Sequence, residues 1–174
     1  MSTAAADRTI VLIRHAKAEQ SMTKTDHDRE LTERGRIDAD AIGQWLRDEE
    51  LVADLVLCST AVRTRQTWAH AAEHGTGGAM VEFRKDIYLG GVGEVLRAVR
   101  EDGGDSEVIF VVGHNPTMAM MASVLCDGEG SIEAHEALSG GLPTSGIAVL
   151  TYNGDWEDLA PDSARLLRVH VARG

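Results

Sequence analysis

Short apolar runs alternate with helix-forming sequence along the chain, and this alternation is the main clue to its fold. The runs at 10–13, 55–58 and 108–112 are rich in Val, Ile and Leu and show no polar alternation. Such runs are typical of parallel strands that are buried on both faces. The pattern predicts an α/β fold, a single three-layer domain with a mostly parallel central sheet flanked by helices on both faces.

The same pattern predicts the individual elements. We expect strands at 8–13, 54–58, 79–83, 107–112, 146–151 and 165–171, with the last two pairing as a wide hairpin. We expect helices at 32–50 with Thr32 as the N-cap, and at 61–74, 92–100 and 116–125. The stretches 16–30 and 126–141 are predicted to be irregular, and residues 1–7 to be flexible. Because no repeat or second core interrupts the pattern, residues 1–174 are predicted to form one domain.

The overall charge restricts the class of partner. The formal net charge is −11, which disfavours general binding to nucleic acid or to an anionic membrane. It does not exclude a small anionic substrate, because a local pair of arginines can outweigh a distant acidic surface. No apolar stretch approaches the ~18 residues of a membrane span.

The cysteines and the first residues favour the cytoplasm. Cys58 and Cys126 are the two cysteines, and they form neither a disulfide framework nor a CxxC metal motif. We interpret both as small apolar residues in a reducing compartment. Residues 1–7 lack the apolar centre of a secretion signal.

Residues suited to binding phosphate follow each of the three buried strands. Arg14 and His15 end the first strand, Arg63 lies just after the second, and His114 and Asn115 follow the third. In open α/β sheets, ligands bind outside the carboxyl ends of the strands. We therefore expect two histidines and two arginines to converge on one pocket, although they are far apart in sequence.

Each position suits the chemistry of a phosphoryl group. An imidazole can attack phosphorus through one ring nitrogen while the other donates to a backbone carbonyl. A guanidinium can bind two phosphate oxygens at once. Arg63 is expected at a helix N-terminus, behind Ser59 or Thr60 as the cap, where anions are favoured. Asn115 as a cap and Pro116 at the first helical position would place His114 beside free amide groups.

Each of these residues also has an ordinary interpretation when it is taken alone. Arg14 could form a salt bridge at the strand end, Arg63 could be an exposed arginine, and His114 could be a structural histidine. The joint occurrence of the three segments at strand ends favours a common site.

The segments resemble the signatures of a known enzyme family. The sequences Arg14-His15-Ala16-Lys17-Ala18-Glu19, Ser59-Thr60-Ala61-Val62-Arg63-Thr64-Arg65-Gln66-Thr67 and Gly113-His114-Asn115-Pro116 are similar to those of the histidine phosphatase superfamily. More narrowly, the chain resembles the SixA-type phosphohistidine phosphatases, also through residues 31–35 and 144–150. Ala16 stands where many members of the superfamily have glycine, and SixA-like sequences often carry alanine there.

The resemblance implies a phosphoglycerate mutase-like fold and a role for each matching residue. It implies that His15 is the nucleophile and becomes phosphorylated, and that Arg14, Arg63 and His114 bind the phosphoryl group. We place Asn115 with these substrate-binding residues. His15 must be neutral to attack, whereas a charged His114 would stabilise more negative charge, so we expect the two pKa values to be pushed apart.

Two carboxylic acids are candidates for the proton donor. Larger members of the superfamily use a carboxylic acid, and the matching region at 82–90 offers Asp86 first and Glu82 second. Both also fit an ordinary solvated carboxylate. Because a protonated imidazole leaves more readily than an alkoxide, the lack of a clear acid favours phosphohistidine over a sugar phosphate as the substrate.

The leading hypothesis is a metal-independent phosphatase that acts on phosphohistidine of a protein through a phosphohistidine intermediate on His15. The alternative enzyme is a small-molecule phosphomonoesterase that uses a sugar or nucleotide phosphate. A non-catalytic phosphohistidine-binding module is a third hypothesis, which the intact nucleophile disfavours. We expect no cofactor and no metal, because His70 and His74, four apart on a helix, lack a third ligand. The sequence leaves the oligomeric state open.

Overall fold

A computed structural model describes residues 7–174, and they form one twisted sheet of seven strands in the order β3-β2-β4-β1-β6-β7-β5. The strands are β1 Asp7–Arg14, β2 Leu55–Ser59, β3 Met80–Arg84, β4 Val108–Gly113, β5 Cys126–Gly130, β6 Gly146–Asn153 and β7 Ala164–Val171. The pairs β3·β2, β2·β4, β4·β1 and β5·β7 are parallel, whereas β1·β6 and β6·β7 are antiparallel. The mostly parallel sheet and the late hairpin are therefore confirmed.

Helices cover both faces of this sheet. They are α1 Glu33–Asp48, α2 Val62–Ala71, α3 Lys85–Leu89, α4 Val92–Asp102, α5 Thr117–Leu125 and α6 Ile132–Ser139. Ile10 and Leu12 of β1 pack with residues of α4 and α5, whereas Val11 and Ile13 pack with residues of α1 and α2. All four side chains are at most 1% exposed, because successive residues of a strand point to opposite faces and both faces are covered. This burial explains the continuous apolar runs in the sequence.

The structure adds elements that the pattern did not predict. Residues 126–141 contain β5 and α6, so the prediction of an irregular segment there is wrong. Strand β5 is an exposed edge strand of Gly and acidic residues, and α6 buries little beyond Ala134, so neither leaves an apolar signal. Helix α3 was not predicted either, because it has only five residues and Ile87 is its one buried residue.

Two segments next to β1, the residue that begins it and the loop that follows it, are held by specific contacts. Residues 1–6, most of the segment predicted to be flexible, lie outside the described residues, whereas Asp7 pairs with Asn153 in the sheet. Thr32 caps α1 as predicted, because its Oγ1 accepts from the amide of Gly35 at 3.0 Å. A Cβ on Gly35 would lie 2.0 Å from the carbonyl oxygen of Lys17, so only glycine permits this contact between α1 and the loop.

Within residues 7–174, no helix has the length and apolar character needed to cross a membrane.

Candidate active site

The parallel pairing of β1 and β4 brings the two predicted histidines together. Arg14 is aligned with Gly113 in this pair, and the amide of His15 donates to the carbonyl of Gly113 at 3.1 Å. His15 and His114 therefore leave neighbouring strands at the same edge of the sheet. Their ring centroids lie 5.3 Å apart, with 56° between the ring planes.

His15 is held in the tautomer that a nucleophile needs. Its Nδ1 lies 2.7 Å from the carbonyl oxygen of Ala16, which can only accept, so Nδ1 carries the proton and Nε2 carries the lone pair. The amide of Ala16 donates to Thr67 Oγ1, and this hydroxyl donates to the carbonyl of Arg63. Ala16, the residue after His15, is thereby tied to α2.

Burial also keeps His15 neutral. His15 is 8% exposed, and the desolvation of its imidazole is the main reason that its pKa is lowered to about 4. The hydrogen bond to Ala16 opposes this shift, whereas the charges of Arg63 and Arg14 add to it. An imidazole with this pKa is neutral at physiological pH, as attack on phosphorus requires.

His114 is also neutral, so the expectation that the two pKa values are pushed apart is wrong. Burial, and after it the charge of Arg63, lowers the pKa of His114 to about 3. The physical reason is that both imidazoles share one buried, arginine-rich environment that disfavours a further positive charge.

A neutral His114 still presents a hydrogen-bond donor, because its tautomer is set by Ser59. The Nε2 of His114 lies 2.7 Å from Ser59 Oγ, and the same Oγ accepts from the amide of Ala61. If Oγ also accepted from Nε2–H, the hydroxyl proton would have no acceptor among the described residues, so we infer that the hydroxyl donates to Nε2 and that the ring proton of His114 is on Nδ1. Nδ1 is buried and has no hydrogen-bond partner among the described residues.

Two arginines complete the set of donors. Arg14 Nη1 donates to the carbonyl of Leu142 at 3.0 Å, and Arg63 Nη1 donates to the carbonyl of Asp26 at 2.7 Å. The Nε atoms of Arg14 and Arg63 are buried without a partner among the described residues. Unpaired buried donors cost free energy and are rare, so three of them around one cavity indicate a binding site for an anion.

The residues that carry these donors line a cavity of about 340 Å³. Its lining residues are Arg14, His15, Lys17, Ala18, Gln20, Arg29, Arg63, His114, Asn115 and Thr144. The cavity thus contains all four residues predicted to handle the phosphoryl group, and Asn115.

The caps beside the site differ from the prediction. Helix α2 has Ala61 rather than Ser59 or Thr60 at its N-cap, and no side chain caps the helix. Helix α5 starts at Thr117, one residue later than predicted, after a cis Asn115–Pro116 peptide. Asn115 still contributes a cap-like bond, since its Oδ1 accepts from the amide of Ala119, and its Nδ2 donates to Leu142.

The structure brings neither predicted proton donor into the cavity. Asp86 accepts two hydrogen bonds from Arg84, at 2.9 and 2.7 Å, and these bonds lower its pKa. Glu82 is exposed on the edge strand β3. A carboxylate that is bound to a guanidinium is a poor acid, because the charge favours its ionised form.

Sequence reasoning missed residues of the loop between β1 and α1. Asp26 accepts from Arg63 Nη2 at 3.1 Å, from Arg29 Nε at 3.1 Å and from the hydroxyl of Tyr88 at 2.8 Å. The ring of Tyr88 packs edge-on against His114, with centroids 5.7 Å apart. No periodicity or motif in the sequence marks Asp26, Arg29 or Tyr88 as residues of the site.

Among residues 7–174, no group of three or more His, Cys, Asp or Glu side chains is placed to hold a metal ion. His70 and His74 both contact Asp40 Oδ1, at 3.2 and 3.1 Å.

Comparison with known proteins agrees with this geometry. Residues 10–87 match the histidine phosphatase superfamily (branch 1). A structure of a candidate phosphohistidine phosphatase SixA from Nakamurella multipartitia has 38% identity and a TM-score of 0.85, covering 98% of this chain and 99% of that one. A second candidate SixA, from Agrobacterium tumefaciens, has 30% identity and a TM-score of 0.78, covering 97% and 99%. An uncharacterized protein of Mycobacterium tuberculosis is 40% identical over 92% of this chain and 100% of its own length.

The family match and the SixA-type structural neighbours identify the chain as a hydrolase of the phosphatase class, on a phosphoglycerate mutase-like fold. The chain belongs to the histidine phosphatase superfamily, in its SixA-type branch.

Proposed function

We propose that this phosphatase hydrolyses phosphohistidine of a protein through a covalent intermediate on His15, without a metal ion. The observation that carries the proposal is the arrangement of His15, whose Nδ1 is bonded to Ala16 and whose Nε2 lone pair is free to attack. The unpaired nitrogens of Arg14, Arg63 and His114 supply donors for the phosphoryl oxygens. The similarity to SixA-type proteins supports phosphohistidine as the substrate.

The first step transfers the phosphoryl group to the enzyme. Nε2 of His15 forms a bond to phosphorus while the bond from phosphorus to the substrate imidazole breaks. The electron pair of that bond returns to the departing imidazole, which takes a proton from solvent. The two guanidinium groups and Nδ1–H of His114 stabilise the three equatorial oxygens, where the negative charge is spread.

The second step releases phosphate. Water attacks the phosphoryl group on His15, the bond to Nε2 breaks, and inorganic phosphate leaves as the water proton passes to solvent. The Ala16 carbonyl keeps Nδ1 protonated and the ring in place through both steps. Because no carboxylic acid lines the cavity, this chemistry suits a leaving group that solvent protonates easily.

The covalent intermediate can be tested by trapping. Incubation with a radiolabelled phosphohistidine peptide and an alkaline quench should leave label on the wild-type protein and none on His15→Ala. His70→Ala is a matched control, because His70 contacts Asp40 outside the cavity and should retain the label. Equal labelling of His15→Ala and wild type would refute His15 as the nucleophile.

A substrate panel tests the substrate class and the metal. Phosphohistidine peptide and aryl phosphate should be hydrolysed faster than sugar or nucleotide phosphates, with EDTA present throughout. Equal rates on sugar phosphates would favour the small-molecule phosphomonoesterase, and loss of activity in EDTA would refute the metal-independent mechanism.

The cytoplasm is the proposed compartment, since Cys58 and Cys126 are both unpaired thiols.

A further inference from the structure

Four rings form a row that starts at the nucleophile and leads outward. The centroid separations are 5.3 Å from His15 to His114, 5.7 Å from His114 to Tyr88, and 4.8 Å from Tyr88 to His27. The first residue of the row is 8% exposed, whereas the side chain of the last is 38% exposed. The row therefore connects the buried end of the site with solvent.

The outer two rings are held in place by groups of the site. The hydroxyl of Tyr88 donates to Asp26 Oδ2 at 2.8 Å, and the same carboxylate accepts from Arg63. Nε2 of His27 lies 3.0 Å from Thr60 Oγ1. The two rings meet edge to face, at 85°, so the pair presents a fixed aromatic surface rather than two free side chains.

In-line displacement determines where the leaving group must lie. The attacking and leaving atoms occupy opposite sides of phosphorus, and the attacking atom belongs to the buried His15. The leaving group therefore lies on the side of phosphorus away from Nε2 of His15, and the row of rings also leads away from His15, toward its more exposed end. A planar leaving group gains stacking energy from an aromatic surface there, whereas an alkyl group or a sugar gains less.

We propose that Tyr88 and His27 form a specificity-determining wall that packs against a planar leaving group, an imidazole or aryl ring. The proposal rests on the phosphatase site described above and adds the reason why that site prefers phosphohistidine. In it, the ring of Tyr88 contacts the substrate, and Asp26 is a positioning residue that holds this ring beside Arg63.

The test separates the ring of Tyr88 from its hydroxyl. Phenylphosphonate and methylphosphonate carry the same phosphonate anion, but only phenylphosphonate has an aromatic ring. Binding of each is measured by calorimetry for wild type, Tyr88→Leu and Tyr88→Phe. We expect wild type to prefer phenylphosphonate, and Tyr88→Leu to lower that preference by about three- to tenfold, the size of an aromatic contact. Tyr88→Phe should keep the preference, because it keeps the ring.

Three results would overturn the wall. They are no preference in wild type, an undiminished preference in Tyr88→Leu, and an equal loss in Tyr88→Phe and Tyr88→Leu, which would assign the effect to the hydroxyl. Phe83→Leu is the matched control, since Phe83 is an aromatic residue of β3 that is 49% exposed and whose ring packs against Arg65 rather than against His114. Because the ratio is measured without turnover, a wild-type protein that fails to hydrolyse phosphohistidine would refute the proposed function separately.

Discussion

Removal of the Ser59 hydroxyl is the sharpest perturbation of the site, because it tests whether a neutral His114 acts through its tautomer. Ser59 is fully buried, and its Oγ lies 2.7 Å from Nε2 of His114. In Ser59→Ala, Nε2 loses its donor, so the tautomer with the proton on Nδ1 loses its preference. A substrate oxygen would then face a lone pair in part of the molecules.

The expected loss follows from the energy of the hydrogen bond. A buried group that is left without its partner costs about 1–3 kcal/mol. If this energy acts in the transition state, kcat/KM falls by about 5- to 150-fold, since about 1.4 kcal/mol corresponds to a factor of ten. We expect the loss mainly in kcat, because the nucleophile and both guanidinium groups are unchanged.

The assay combines kinetics with a direct measure of the tautomer. The 15N shifts of His114 should show protonated Nδ1 in wild type and a mixture in Ser59→Ala, with kcat/KM measured on a phosphohistidine peptide. Thr76→Val is the matched control, because Thr76 is a fully buried residue whose hydroxyl donates to Ala71 at a distance from the cavity. A kcat/KM within twofold of wild type, or a wild-type His114 protonated on Nε2, would refute the reasoning.

Three further predictions concern the charge, the fork and the loop of the site. The pKa of His15 is about 4 in the folded protein and 6.5 when the side chain is exposed, so protonation favours the unfolded state. The free energy of unfolding should therefore fall as the pH drops from about 6.5 to 4, and it should fall less steeply in His15→Ala. If urea unfolding gives the same pH dependence for the two proteins, the prediction is wrong. Arg63→Lys should lower kcat/KM by about 10- to 100-fold, because lysine cannot bind two oxygens in a fork, whereas Arg65→Lys, at an exposed position outside the cavity, should match wild type. Gly35→Ala should destabilise the protein by about 1–3 kcal/mol in thermal or urea unfolding, because its Cβ would overlap the Lys17 carbonyl, and an unchanged midpoint would show that the loop is free to move.

The sequence by itself determined the mostly parallel sheet, except for its edge strand β5, and the four residues that converge at the site. Apolar runs on both faces are a local signal of buried parallel strands, and the residues that follow such runs must lie at the carboxyl edge of the sheet. For that reason the sequence alone predicts that Arg14, His15, Arg63 and His114 lie at one site. The structure confirms this convergence, with all four at the same cavity.

Only the tertiary structure decided which groups surround these four. Asp26, Arg29 and Tyr88 reach the site because the loop after β1 contacts α2, and because the five-residue helix α3 packs beside β2 and places Tyr88 against His114. Such contacts leave no periodic signal in the chain. The same limit explains the wrong expectation for the charge of His114. The pKa of that imidazole depends on burial and on arginines from distant segments, and these become neighbours only when the sheet is assembled.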